Sequence, residues 1–134
     1  MRHPRIVVMP GAYIMAAALI LMLPLRLVTA AYFAAAIHEL CHILALILLR
    51  IPMTEIRILW GGARIFSGSM TAWQELLCAS AGPAGSLLLL LFIRQIPVIA
   101  ILGMAQGLFN LLPIFPLDGG RILRSIFVLA KNGH

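Results

Sequence analysis

Along the 134 residues, apolar positions gather into four long runs, at about 12–27, 28–49, 72–92 and 96–130. A helix needs roughly 20 apolar residues to cross a hydrocarbon layer about 30 Å thick, and the first three runs are near that length. The fourth is too long for one crossing and too short for two. Pro113 and Pro116 lie inside it, and each removes a backbone donor, so it reads as one interrupted crossing followed by a helix from about Gly120. Between the second and third runs lies the long polar connection RIPMTEIRILWGGARIFSGSMT. Its alternation in EIRIL and ARIF, around Gly61 and Gly62, predicts two short strands joined by a tight turn. The expected fold is therefore an all-α membrane protein: a bundle of about four transmembrane helices, with a short β-hairpin between the second and third and the fourth helix broken at its prolines. Residues 1–134 read as one unit without a soluble domain, a low-complexity tract or an internal repeat.

Composition strengthens the membrane reading, since 63% of the residues are hydrophobic and only 10% charged, far from the mix of a soluble domain. The net charge of +6 raises nucleic acid as a partner, but the arginines stand singly between apolar runs with no basic stretch interleaved with aromatics. Topology accounts for them better. With both termini cytoplasmic, all basic residues except Arg26 and Arg94 fall on the inner side, as the positive-inside rule favours. Tyr13, Tyr32 and Trp73 lie near the ends of runs, where amphipathic rings settle at the interface. The expected location is a multi-pass integral protein of a bacterial cytoplasmic membrane. A competing reading takes Arg2, Arg5 and VTA at 28–30 as a secretory signal with its cleavage site. It fits less well, because its removal would strip a helix from an already small bundle and nothing downstream looks secreted. Cys41 and Cys78 both fall within apolar runs, which argues against a disulfide framework.

One stretch of the second run does not suit a lipid-embedded helix. Residues 37–43 read IHELCHI, and an ionisable group near a transmembrane helix centre costs roughly 2.5–3.5 kcal/mol on insertion scales. On a helix, His38 and His42 are separated by about 40° and stacked one turn apart. Either histidine alone would read as a packed, hydrogen-bonded residue. Together, with Glu39 between them, they form H-E-x-x-H, in which two imidazoles bind zinc and the glutamate acts on water. A catalytic zinc site takes three protein ligands, so a third is missing. His3 and His134 are terminal, and Glu55 and Glu75 lie in or beside the polar connection; Asp118 remains. LDGG alone would read as a turn or a helix N-cap. Depth argues for more. His42 lies about 12 Å of helix rise from Arg50 at the inner surface, and Asp118 lies at the inward end of the fourth run.

The ordered set HELCH, AGPAGS and NLLPIFPLDGG resembles the site-2 protease family of intramembrane zinc metalloproteases, over about residues 30–125. The ILWGGARI connection is similar to the membrane-associated hairpin of its stage IV sporulation protein FB branch. The resemblance implies one zinc ion (Zn2+) held by His38, His42 and Asp118, with Glu39 as general base on the zinc-bound water. Asn110 matches an asparagine that positions substrate or stabilises the oxyanion. It implies a membrane protein substrate that unwinds at the scissile bond, with the hairpin around Gly61 and Gly62 offering it a strand edge. Cys41 stands where the family often has glycine; a small buried cysteine packs, and a covering or ligating role is the other reading. Ser86 stands where asparagine is frequent, which weakens a substrate contact there, while Gly82 and Pro83 need no chemistry beyond close helix packing and a bend. The extra spans, PDZ-type and nucleotide-sensing domains common in the family are not in this sequence. That implies a bare catalytic core or a fragment, regulated by membrane partner proteins in the lipid bilayer. The alternative from another class is a non-catalytic metal-binding membrane protein, a transporter or an inactive protease relative, for which Glu39 beside the ligands has no use.

Overall fold

A computed structural model describes residues 4–59 and 62–132. It opens on strand β1 (Arg5–Val8) and helix α1 (Pro10–Met22), followed by α2 (Leu25–Leu48), β2 (Met53–Leu59), β3 (Gly62–Ser67) and α3 (Ala72–Leu88). A 3-10 turn (Leu89–Phe92) extends α3, and α4 (Pro97–Asn110) and α5 (Asp118–Asn132) complete the chain.

Each helix boundary has a local cause. The first two helices meet at Pro24, not between residues 27 and 28 as the apolar runs suggested, because proline has no amide hydrogen for α1 to continue on while an exposed arginine, Arg26, is tolerated in a first turn. Helix α2 ends with Arg50 at φ 56; Ile51 N–H donates to Leu46 O at 2.9 Å and Arg50 N–H to Ile47 O at 3.0 Å. Those two bonds, with Ile51 packed near Leu46, are a Schellman cap with arginine in the position glycine usually takes. Thr71 and Gln74 form a reciprocal capping box that starts α3, satisfying amide groups that would otherwise lack partners. Pro97 begins α4, where a missing amide hydrogen costs nothing.

The sheet is larger than expected. Strands β2 and β3 pair antiparallel, but β1 adds to β2 in parallel, with Arg5 opposite Glu55 and Val8 opposite Ile58. The hairpin is thus part of a three-stranded mixed sheet, which corrects the all-α expectation. A parallel pair needs a long crossover, and here α1 and α2 supply it. Gly62 opens β3 at φ 135, a conformation that favours glycine; Gly61, the other turn glycine, lies outside the described residues, as do His3 and His134.

Helices α2 and α3 are long and apolar enough to cross a membrane (Leu25–Leu48 and Ala72–Phe92), whereas α1 and α4 are shorter apolar helices. Many large apolar side chains point outward, among them Leu21, Met22, Leu48 and Leu91, and so much exposed apolar surface suits lipid. The fourth run is divided as its prolines suggest: α4 stops at Asn110, Pro113 and Pro116 fall in the irregular 111–117 segment, and α5 begins at Asp118. The interior is narrow. Small residues of α3, including Ala79, Gly82 and Gly85, let α2 approach closely, as small-residue stripes do between apolar helices.

Candidate metal centre

The buried residues of α2 include Ala34, His38, His42 and Leu46, a single stripe at i, i+4 spacing. The helix therefore aims both imidazoles at α3 without departing from regular geometry. Their rings meet edge to face, with centroids 4.9 Å apart, and the two Nε2 atoms lie 3.2 Å from each other. Asp118, at the start of α5, brings Oδ2 to 3.2 Å from His38 Nε2 and 3.1 Å from His42 Nε2. Among the described residues, these three form the one cluster of His, Cys, Asp and Glu side chains suited to holding a metal ion. All three are buried.

The donor set fits zinc. Ligand bonds of about 2.0–2.1 Å in tetrahedral directions place neighbouring ligand atoms about 3.3 Å apart, close to the 3.1–3.2 Å separations found here. Both imidazoles are also fixed from behind. His42 Nδ1 lies 2.7 Å from Cys78 O; a carbonyl can only accept, so Nδ1 carries the hydrogen and the neutral ring presents the Nε2 lone pair to the cluster. His38 Nδ1 lies 2.8 Å from Ser86 Oγ, and donation to that oxygen leaves its Nε2 lone pair facing the same point. Partners of this kind orient metal-binding histidines. Two lone pairs and a carboxylate oxygen converging away from water call for a cation between them.

Gly82 makes room for the cluster. A Cβ there would overlap His42 Nε2 and crowd His38 Nε2. At the other wall, a Cβ on Gly119 would overlap the carbonyls of Leu111 and Leu112, and one on Gly120 would crowd Ile114 and Phe115. The 111–117 segment thus folds back directly onto the first turn of α5 and sets where Asp118 stands. Asp118 belongs to that first turn, where the helix dipole favours negative charge.

Glu39 is half-buried, next to the histidines but off their stripe, with its Oε1 beside Gly62 at the start of β3, 3.9 Å from where a Cβ there would stand. It lines a cavity of about 790 Å³ together with His38, His42, Asp118, Asn110 and Arg121. Asn110 borders this cavity, while its Nδ2 donates to Gln106 O of its own helix at 3.2 Å. Cys41 is a free thiol whose Sγ sits against Gly85 of α3, where a Cβ would overlap it; the ligand cluster does not include it. Residue-by-residue reading missed two parts of this arrangement. Ser86 is fully buried against His38, and Arg121 lies between Glu75 and Asp118, at 3.6 Å from each. In sequence, the only trace of the second is an opposite charge three residues after Asp118.

Three comparisons bear on the site. The model of peptidase family M50 matches residues 90–132, a stretch that contains Asp118 and Asn110 and lies wholly outside the histidine motif. A Synechocystis sp. protein named "Putative zinc metalloprotease" is 42% identical over 120 residues, covering 76% of this chain and 32% of the relative. The chain therefore spans about a third of the length of that curated relative. The solved structure of the Site-2 Protease from Methanocaldococcus jannaschii matches with a TM-score of 0.72 at 24% identity, covering 91% of this chain and 66% of the other. The last match shows a shared fold, and both sequence matches lead to peptidases.

Proposed function

We propose that this chain is the catalytic core of an intramembrane zinc endopeptidase of the site-2 protease family, in the branch of the stage IV sporulation protein FB group. The observation that carries the reading is the convergence of His38 Nε2, His42 Nε2 and Asp118 Oδ2 within 3.1–3.2 Å of one another beside Glu39. His38, His42 and Asp118 hold one zinc ion. When bound, zinc polarises the scissile carbonyl and makes water a stronger acid.

The protein's own groups do the rest. Glu39 accepts the proton of the attacking water and passes it to the departing amine, so one carboxylate serves as base and then acid. Asn110, on the cavity wall, steadies the substrate carbonyl as charge develops on its oxygen. Burial of the cluster among α2, α3 and α5 excludes bulk water and strengthens each of these interactions. The substrate is a transmembrane or membrane-associated segment that enters in extended form. Strand β3 suits it: β2 pairs with one edge, and Gly62 at its start lies beside Glu39 Oε1, so an extended segment paired along β3 passes close to the base. Helices α2 and α3 cross the bilayer, both termini face the cytoplasm, and membrane partner proteins regulate access.

The decisive experiment substitutes Glu39→Gln. Purified in detergent or liposomes, the variant retains one zinc ion per chain and loses cleavage of a membrane substrate by at least roughly 10²–10⁴-fold. Full cleavage by Glu39→Gln overturns the proposal.

A further inference from the structure

The two oxygens of Asp118 face different partners. Oδ2 points to the imidazoles, whereas Oδ1 lies 3.6 Å from Arg121 Nη1. The same guanidinium places Nε 3.6 Å from Glu75 Oε1 on α3. Arg121 therefore spans two carboxylates across the α3–α5 contact, in the wall of the cavity that holds the histidines. We infer that Arg121 is a positioning residue: it holds Asp118 so that one oxygen alone faces the metal, and Glu75 holds Arg121 in turn.

Physical chemistry supports this division of labour. A carboxylate with both oxygens free can rotate to place both on an ion or swing away from it. A cation fixed on one oxygen removes that freedom, and a guanidinium, planar with several donors, can serve two carboxylates at once. An ion pair that merely decorates the surface contributes little, but Arg121 is half-buried, at 28% side-chain exposure, beside an Asp118 side chain that is 9% exposed. The pattern of net charge along the chain assigns Arg121 to the inner interface, as one of several topology-setting cations; its location gives it a further task. Glu75, set aside as a ligand because it lies beside the polar connection, acts instead two steps away from the ion.

The inference rests on the zinc reading above, and its test separates the two. Metal-free full-length protein in detergent is titrated with zinc against a chromophoric chelator, and with cobalt while its visible bands are recorded. Arg121→Gln weakens zinc binding by roughly 10–100-fold, the usual range for partners behind a ligand. Arg121→Lys, which keeps the charge but cannot span both carboxylates, shows a smaller loss; Glu75→Gln weakens zinc in the same direction, and the double variant binds no more weakly than Arg121→Gln. The cobalt bands of Arg121→Gln lose intensity as Asp118 turns both oxygens to the ion and the coordination number rises. If Arg121→Gln does not fold, Arg121→Lys carries the test. Wild-type zinc affinity and cobalt spectra in the folded arginine variants overturn the positioning role alone. A wild-type chain that takes up neither metal overturns the zinc site and this inference with it.

Discussion

His38 and His42 reach the site by a different physical route from Asp118. The imidazoles stand on an uninterrupted helix, one turn apart on its buried stripe, and their far nitrogens rest on Ser86 Oγ and Cys78 O. Their relative placement is inherited from helix geometry and would persist in any helix carrying the same spacing. Asp118 has no such scaffold. It leaves an irregular segment whose backbone packs onto Gly119 and Gly120, and its position depends on how that segment folds back. Half the site is therefore local and robust, and half is tertiary and conditional.

The largest effect is expected on the conditional half. Gly119→Ala places a methyl group on the Leu111 and Leu112 carbonyls, which are backbone atoms that cannot turn aside. Overpacking of this kind costs typically 1–3 kcal/mol, so the variant melts at lower temperature, followed by circular dichroism in detergent, and its zinc binding is lost as α5 shifts. Gly82→Ala strikes the robust half and should behave differently. Its methyl group meets imidazole nitrogens, and side chains can rotate where carbonyls cannot. Melting then falls less than in Gly119→Ala, because the turned rings give up only their Nδ1 partners, while cleavage falls roughly 100-fold, the cost of a displacement of about 1 Å at a reacting centre. Equal losses of stability in the two variants would break the distinction between the two halves.

That distinction also explains what could be read from the residues alone. The histidine pair and Glu39 were legible because their geometry is set within two helical turns. Asp118 was legible for a narrower reason: the chain has four acidic residues, and depth left one in place. The broken fourth helix announced itself through Pro113 and Pro116, and the β2–β3 hairpin through its alternation. Strand β1 was not legible, because RIVV at 5–8 finds its partner in parallel some fifty residues later, Arg5 against Glu55, and no nearby turn marks such a pairing. The contacts behind the ligands were hidden for the same reason. Glu75 and Arg121 lie on separate helices, and neither carries a local sign of the other.

Ser86 offers the finest test of the robust half, since it touches one imidazole and nothing else in the cluster. A serine in an apolar helix reads as a small packing residue, and a frequent asparagine at this place in the resembled family suggested a lost substrate contact. Its hydroxyl, 2.8 Å from His38 Nδ1, instead holds a ring. Ser86→Ala removes that oxygen with little change of volume, leaving a buried ring nitrogen without a partner, which costs roughly 1–3 kcal/mol. His38 then gains freedom to rotate or to move its hydrogen to Nε2, the atom that faces Asp118 and His42. Zinc affinity should fall roughly tenfold, the low end for such partners, because the Cys78 carbonyl still orients His42 and the helix still fixes the spacing. Ser86→Asn, which restores an acceptor at this position, should recover part of the loss if it fits beside Gly107, whose space for a Cβ is already taken by the Ser86 side chain. A loss in Ser86→Ala as great as that in Gly119→Ala, measured by the same zinc competition, would mean that the helix alone does not hold the pair and that the local half is as conditional as the other.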